Sequence, residues 1–198
     1  MGPPSLRHRV PAGRRDLNLP RLFAFNKPRR VVVSRVREGG ASTVFEMLRP
    51  ERRDWFAVGR LDKDSEGLLL FCDDSRFAQL LMDPGAVAKT YLVAVEGFPR
   101  EHDLEGMRRG GFVIEGQPAL PAEVRRLGKA PRGGTRFEVV LHEGRNREIR
   151  RLFLAAGFNV RRLVRTAIGP VDLGDLRQGE GRELTSSEVA ALRRLAVP

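Results

Sequence analysis

The 198-residue chain is poor in cysteine and histidine, and it lacks long apolar runs. Cys72 is its only cysteine, which excludes an internal disulfide and a cysteine-based zinc site. The three histidines are scattered and show no metal-ligand spacing. No apolar run approaches the roughly 20 residues that span a bilayer, and no apolar segment follows the N-terminal charges as in a secretory signal. These absences predict a cytoplasmic protein that has no structural metal and no membrane partner.

Lysine is also scarce, although the chain is strongly basic. Only four of the 36 basic residues are lysine, which leaves 36 − 4 = 32 arginines, and the 25 acids give a net charge of +11. Arginine binds phosphate through two parallel hydrogen bonds and stacks on bases. A GC-rich genome explains the arginine-to-lysine ratio equally well, but it does not explain the excess of positive charge. Because no amphipathic basic helix stands out, this excess favours a nucleic acid over a membrane.

Strand patterns outnumber helix patterns and occur in runs. Residues 1–21 are rich in proline and arginine without a hydrophobic period, so we expect a disordered basic arm, with an idle tail as the alternative. The pattern then predicts strands at 22–26, 31–33, 67–72, 89–97, 112–114, 122–127, 136–142 and 160–164. It predicts helices at 43–48, 75–82, 104–109, 146–156 and 185–195, with Phe77, Leu80 and Leu81 as the apolar stripe of the second. This arrangement indicates an α+β protein with a mostly antiparallel sheet.

The segment 57–74 is acidic in an otherwise basic chain. It holds five acids, and Asp62 lies in a predicted loop backed by the apolar strand 67–72. A rigid strand behind a loop is a common way to present a reactive carboxylate. Asp62 and Asp64 also form a D-x-D pair, a weak signal for Mg²⁺-dependent phosphoryl transfer. A third interpretation is that these acids only cap and solvate the loop.

The predicted helix 146–156 combines an apolar stripe with closely spaced arginines. Arg147 and Arg151 are four residues apart, which puts them on one helical face suited to an RNA backbone. Arg150 borders the buried face, and a half-buried arginine needs an anion nearby. Asp62 is one candidate for that anion; Glu143, Glu148 or solvent are the others.

Tyr91 is the only tyrosine and lies on the predicted strand 89–97. Its ring either stacks on a base extruded from RNA or belongs to the edge of the core with a satisfied hydroxyl group.

Several ordered motifs together resemble the RsuA-type pseudouridine synthases, which modify ribosomal RNA. The resemblance spans residues 22 to about 190. The motifs are Asn26–Pro28, Gly59–Leu70, Lys89–Tyr91, Glu143–Arg151, and Arg165 with Ile168, Gly169, Leu173, Leu176, Gly179 and Arg182.

The resemblance implies a fold, a reaction and a set of site residues. The fold would be the α+β pseudouridine synthase catalytic fold over 22–198: a mixed, mostly antiparallel sheet in two subdomains flanked by helices, with a central basic cleft. Asp62 would be the catalytic aspartate, Tyr91 would stack on the target uracil, Arg150 would pair with Asp62, and Leu152 would line the pocket. No cofactor or metal would be needed. We expect the RNA to contact Arg60, Lys89, Arg145, Asn146, Arg147, Arg151 and Arg165.

Three departures qualify this resemblance. The family usually carries an S4 RNA-binding domain, whereas only residues 1–21 precede the first predicted strand, so we expect a monomer of the S4-less RluE-like branch, acting on large-subunit (23S) ribosomal RNA. Arg30 replaces a usual glycine, and Glu148 replaces a usual glutamine, where it could give Arg150 a second acid. The alternatives are action on small-subunit ribosomal RNA or tRNA, or a non-catalytic RNA-binding or ribosome-assembly protein.

Overall fold

The computed structural model describes residues 19–196, and the predicted α+β class is confirmed. The predicted basic arm lies almost wholly outside the described residues. The helices are α1 (Val44–Met47), α2 (Ser75–Met82), α3 (Glu101–Arg109), α4 (Glu148–Ala155) and α5 (Ser186–Ala196), with a 3₁₀ turn at Pro50–Arg52. The strands are β1 (Leu22–Lys27), β2 (Phe56–Val58), β3 (Glu66–Cys72), β4 (Lys89–Val95), β5 (Val113–Ile114), β6 (Gln117–Pro118), β7 (Glu123–Lys129), β8 (Thr135–Leu141), β9 (Val160–Ile168), β10 (Val171–Asp172) and β11 (Gly181–Glu183).

One nine-stranded sheet organises this part of the chain. Its order is β11-β1-β3-β9-β4-β8-β7, with β2 paired to β3 and β10 paired to β9, while β5 and β6 form a separate hairpin. The pairing of β3 with β9 is parallel, and the other pairings in the sheet are antiparallel. The sheet is therefore mixed and mostly antiparallel, as predicted.

Strand β3 is buried along its whole length because apolar groups cover both of its faces. Leu68 and Leu70 pack in a core with α2 and α5, while Leu69 and Phe71 pack in a second core with α1. A third core lies on the other half of the sheet, where β4, β8 and β9 pack against α3 and α4.

The two halves of the sheet meet where β3 runs beside β9. Gly67 lies opposite Arg165 and has a φ of +106°. A β-carbon at Gly67 would lie 2.3 Å from the Arg165 carbonyl oxygen, so only glycine fits at this approach. The parallel junction places the loop before β3 next to the middle of β9.

Some predicted elements are wrong. Residues 31–33 do not form a strand but make one isolated bridge, Val32 to Thr43, because the chain turns at Pro28. Leu80 of α2 is 37 % exposed, and Ala78 is buried instead, since the side of α2 that faces the sheet is centred between Phe77 and Leu81. The short strands β2, β6, β10 and β11 were not predicted.

Candidate active site

A cavity of about 680 Å³ opens at the junction of β3 and β9. Its walls come from the loop before β3, from β4 and β9, and from the loop between β8 and α4. Most residues of the predicted site face it: Arg60, Asp62, Lys89, Tyr91, Arg145, Asn146, Arg147 and Arg165. The topology thus gathers motifs that are far apart in sequence.

Asp62 lies in a tight turn whose backbone is held on both sides. Its carbonyl accepts the N–H of Ser65 at 3.0 Å, and the next carbonyl, of Lys63, accepts the N–H of Arg30 at 2.7 Å. The Asp62 side chain is 27 % exposed, so its carboxylate faces the cavity without being freely hydrated. The loop therefore presents an accessible carboxylate from a fixed backbone.

Two arginines approach the same oxygen of Asp62. Arg147 Nη1 lies 3.7 Å and Arg150 Nε lies 3.8 Å from Asp62 Oδ2. Both contacts are ion pairs at longer than hydrogen-bond length. Arg150 therefore neighbours Asp62, as one of the predicted alternatives had it, and Arg147 is a second neighbour that was not predicted.

Backbone and hydroxyl oxygens fix the guanidinium group of Arg150. It donates to the carbonyls of Val160 at 3.1 Å and Asp64 at 3.2 Å, and to the hydroxyl of Ser65 at 3.4 Å. Burial, followed by the charge of Arg147, lowers the pKa of Arg150. Arg150 is thus a positive charge that the protein holds in place beside Asp62.

Helix α4 begins later than predicted, and this changes the roles of its arginines. Arg147 has a φ of +53° and precedes the first helical residue, so it turns towards Asp62. Arg151 instead pairs with Glu115 at 2.5 Å. The prediction that Arg147 and Arg151 share one helical face is wrong, because the left-handed residue breaks the helical period.

Protein groups hold the guanidinium group of Arg145 in place. Its guanidinium pairs with Glu143 at 2.8 Å and donates to the carbonyl of Pro118 at 2.8 Å and that of Gln117 at 3.2 Å. It therefore ties the β5–β6 hairpin to the loop before α4. Arg60 and Asn146 are exposed at the cavity rim.

Tyr91 forms part of the apolar wall. It is 8 % exposed and lines the cavity together with Ile149 and Leu163. Leu152, predicted to line the pocket, is 1 % exposed and lies behind this wall in the same core. The wall residue from α4 is Ile149, which is one turn closer to the start of the helix. Leu163 of β9 is a wall residue that was not predicted.

Two basic residues in the wall are buried. Lys89 is 9 % and Arg165 is 3 % exposed. Arg165 Nε donates to the carbonyl of Leu68 at 2.7 Å, while its Nη2 is buried without a partner among residues 19–196. Burial, followed by the charge of Arg165, lowers the pKa of Lys89. This part of the cavity is suited to a negatively charged ligand.

Two further charged residues, Lys27 and Glu66, lie beside the loop that carries Asp62. Lys27 is fully buried and donates to the carbonyls of Pro28 at 3.0 Å and Val31 at 2.7 Å. Burial lowers the pKa of Lys27 to about 8, and the charge of Asp62 partly opposes this shift. Glu66, just after the loop, accepts two hydrogen bonds from Arg162, at 2.9 and 3.2 Å.

Glu148 does not act as a second acid for Arg150, so that prediction is wrong. Its side chain contacts Glu143, and burial followed by this contact raises the pKa of Glu148 to about 8.

The comparison with protein families identifies the architecture. The family described as RNA pseudouridylate synthase matches residues 21–155. The chain belongs to this family. Among curated relatives of this pseudouridine synthase, the ribosomal large subunit pseudouridine synthase B of Bacillus subtilis is 37 % identical over 179 residues, which cover 89 % of this chain and 73 % of the relative. The ribosomal large subunit pseudouridine synthase E of Vibrio parahaemolyticus is 34 % identical over 183 residues, covering 85 % and 76 %.

A solved structure shows the same fold. A crystal structure of a pseudouridylate synthase superimposes with a TM-score of 0.78 at 30 % identity, covering 87 % of this chain and 74 % of the other. The predicted pseudouridine synthase fold is thereby confirmed. In this synthase, no helix among residues 19–196 is long and apolar enough to span a membrane.

Proposed function

We propose that this pseudouridine synthase converts a uridine of large-subunit ribosomal RNA to pseudouridine, with Asp62 as the catalytic carboxylate. The names of the relatives from Bacillus subtilis and Vibrio parahaemolyticus support this class of substrate. The net charge of +11 suits a polyanion. We retain the predictions of a monomer and of a cytoplasmic location within this proposal.

The observation that carries the assignment of Asp62 is its pair of arginine neighbours. Three acids line the cavity: Glu38, Asp62 and Glu148. Glu148 contacts another acid, and Glu38 is exposed at the rim. Among the described residues, Asp62 is the only one of the three with guanidinium groups within 4 Å, at 3.7 and 3.8 Å. A carboxylate in the cavity wall that two guanidinium groups approach without a hydrogen bond is placed to act as a nucleophile or a general base.

The chemistry follows from the geometry of the cavity. A uracil inside a helix is unreachable, so the nucleotide must be flipped out at a cost of a few kcal/mol. The ring of Tyr91 would pack against the flipped base, and the buried Lys89 and Arg165 would attract its phosphate or polar edge.

The reaction is an isomerisation that needs no other reactant. The N1–C1′ bond breaks, the base turns, and a C5–C1′ bond forms. The proton on C5 is released, and N1 takes up a proton. Asp62 assists bond cleavage either by adding to C1′ or by removing the C2′ proton, and both routes use the ionised carboxylate.

Release of the C5 proton provides the assay. With ribosomal RNA that carries tritium at uridine C5, Asp62→Asn should bind RNA normally but release tritium at least about 10³-fold more slowly than the wild type. Asp64→Asn is the matched control, because it removes a carboxylate two residues away, and it should stay active. Tritium release by Asp62→Asn at the wild-type rate would contradict the assignment.

A separate measurement tests the RNA class. Mapping pseudouridine in the RNA of a deletion strain should show one missing modification in large-subunit ribosomal RNA. If the missing modification were in small-subunit ribosomal RNA or in tRNA, that RNA would be the substrate instead. Full complementation of the strain by Asp62→Asn would favour a non-catalytic RNA-binding protein.

A further inference from the structure

Two buried acids in contact hold the loop that carries the arginines of the site. Glu143, after β8, is 6 % exposed, and Glu148, the first residue of α4, is 3 % exposed. Glu143 accepts hydrogen bonds from the N–H of Leu120 and from Nε of Arg145, each at 2.8 Å. Glu148 Oε2 accepts the N–H of Arg145 at 3.0 Å, and the Glu148 N–H donates to the Arg145 carbonyl at 3.3 Å. Glu148 therefore closes the turn from Arg145 to Glu148 with both its backbone and its side chain.

The second carboxyl oxygen of Glu148 lacks a donor. Glu148 Oε1 is buried and has no hydrogen-bond partner in the part of the chain that the structure describes. The side chains of Glu143 and Glu148 lie within hydrogen-bonding reach of each other. Two ionised carboxylates in contact repel strongly at a buried site. One proton between them removes a charge and supplies a donor.

We propose that Glu143 and Glu148 share one proton, carried by Glu148, and that this pair positions the arginines that neighbour Asp62. The proposal rests on the function proposed above for Asp62. Glu148 is a positioning residue because it acts through the turn that it closes. That turn contains Arg147, whose carbonyl accepts the N–H of Arg151 at 3.0 Å as α4 begins.

The charges around Glu148 fit a protonated carboxyl group. Burial raises the pKa of Glu148 to about 8, and the contact with Glu143 acts in the same direction. Burial acts to raise the pKa of Glu143 as well, but hydrogen bonds from Glu148, a backbone N–H and Arg145 hold it below its usual range. Among the described residues, Lys89 of β4 also interacts electrostatically with Glu148, and Arg165 in turn interacts with Lys89.

A protonated Glu148 has the same hydrogen-bonding capacity toward its two neighbours as a glutamine would have. A glutamine amide offers one acceptor for the N–H of Arg145 and donors for Glu143. A protonated glutamate offers an acceptor and one donor, so it reproduces this pattern. Glu148 no longer resembles a glutamine in its hydrogen bonding once it loses its proton. Above that pH, two adjacent negative charges would push the turn apart and displace Arg147 from Asp62.

A carboxyl titration by NMR tests the shared proton without RNA. In protein with ¹³C-labelled glutamate carboxyl groups, the Glu148 resonance is identified by its absence in Glu148→Gln. It should titrate near pH 8, well above the value of about 4.3 that is ordinary for a glutamate side chain. A Glu148 carboxyl group that is already ionised at about pH 6 would overturn the proposal.

The pH profile of the reaction tests the positioning role. From a pKa of about 8, only about one tenth of Glu148 remains protonated at about pH 9, so wild-type kcat should fall about tenfold from its value at about pH 7. Glu148→Gln should lose less than about threefold over this range, and the comparison cancels ionisation of the RNA itself. Glu148→Ala should be impaired at both pH values, because it cannot close the turn.

The two proposals fail in different ways. Superimposable pH profiles for the wild type and Glu148→Gln would overturn the positioning role. Absence of product from every variant would contradict the proposed function instead, while the NMR titration would still decide whether Glu148 carries the proton.

Discussion

Replacing Arg30 by glycine should stabilise the protein. Arg30 has a φ of +65°, in the left-handed region where a side chain is unfavourable. Its side chain is exposed, and its backbone N–H donates to the Lys63 carbonyl at 2.7 Å, which links this turn to the loop of Asp62. Glycine keeps that hydrogen bond and removes the clash of the β-carbon.

The magnitude is a difference between two backbone effects. Relief of the left-handed conformation is worth about 1–2 kcal/mol. The greater conformational freedom of glycine in the unfolded chain lowers the free energy of unfolding by about 0.5–1 kcal/mol. With the middle of each range, the free energy of unfolding should rise by about 0.75 kcal/mol, which for a chain of this size raises Tm by about 1.5–3 °C.

Urea and thermal denaturation of Arg30→Gly measure this gain, and Arg29→Gly is the matched control. Arg29 is the adjacent exposed arginine and does not have a positive φ. Both variants lose one positive charge and gain one glycine, but only Arg30→Gly relieves strain. Arg29→Gly should lose about 0.5–1 kcal/mol of stability. Equal shifts for the two variants, or a less stable Arg30→Gly protein, would refute the reasoning.

Two other replacements test the charges around Asp62. Burial lowers the pKa of Lys27 from 10.5 to about 8, so between these pH values the unfolded chain binds more protons than the folded protein, and the free energy of unfolding rises with pH. Lys27→Met should abolish this rise, as measured by urea denaturation at several pH values. An unchanged dependence of stability on pH would contradict the prediction. Arg147→Ala should lower kcat by about tenfold or more through loss of a charge 3.7 Å from Asp62. The control is Arg151→Ala, which removes a charge that is paired with Glu115 and should mainly weaken RNA affinity. If both variants lost kcat equally, Arg147 would have no specific role.

Regular patterns in the sequence predicted the long elements of the fold well. Strand β3 is a nearly continuous apolar run, buried and partly exposed residues alternate along strands β4 and β8, and helix α2 has apolar residues at helical spacing. The positions of these elements therefore follow from the sequence alone. Strand β11 has no such period, and it exists because Gly181 to Glu183 pair with β1. Elements of two or three residues depend on tertiary pairing, which no local pattern records.

The site was predictable where a residue's role depends on its type, and less so where it depends on backbone conformation. The argument that a half-buried arginine needs an anion brought Arg150 and Asp62 together as one of several alternatives. Helical periodicity predicted the wrong position for Arg147, because a hydrophobic pattern does not reveal that this residue has a left-handed conformation before α4. The residue type of Arg145 suggested RNA, whereas the nearby hairpin carbonyls occupy its guanidinium group.

The long distances at Asp62 matter as much as the charges do. An arginine that formed two short hydrogen bonds with Asp62 would favour its ionised form but would also occupy both carboxylate oxygens. Here the hydrogen bonds of Arg150 go to the carbonyls of Val160 and Asp64 and to the hydroxyl of Ser65. Its Nε remains 3.8 Å from Asp62 Oδ2 and forms no hydrogen bond within the described residues. Positive charge thus stabilises the carboxylate while its lone pairs stay available to a substrate. The role proposed for Asp62, reaction with a flipped nucleotide, needs this combination of nearby charge and unoccupied oxygens.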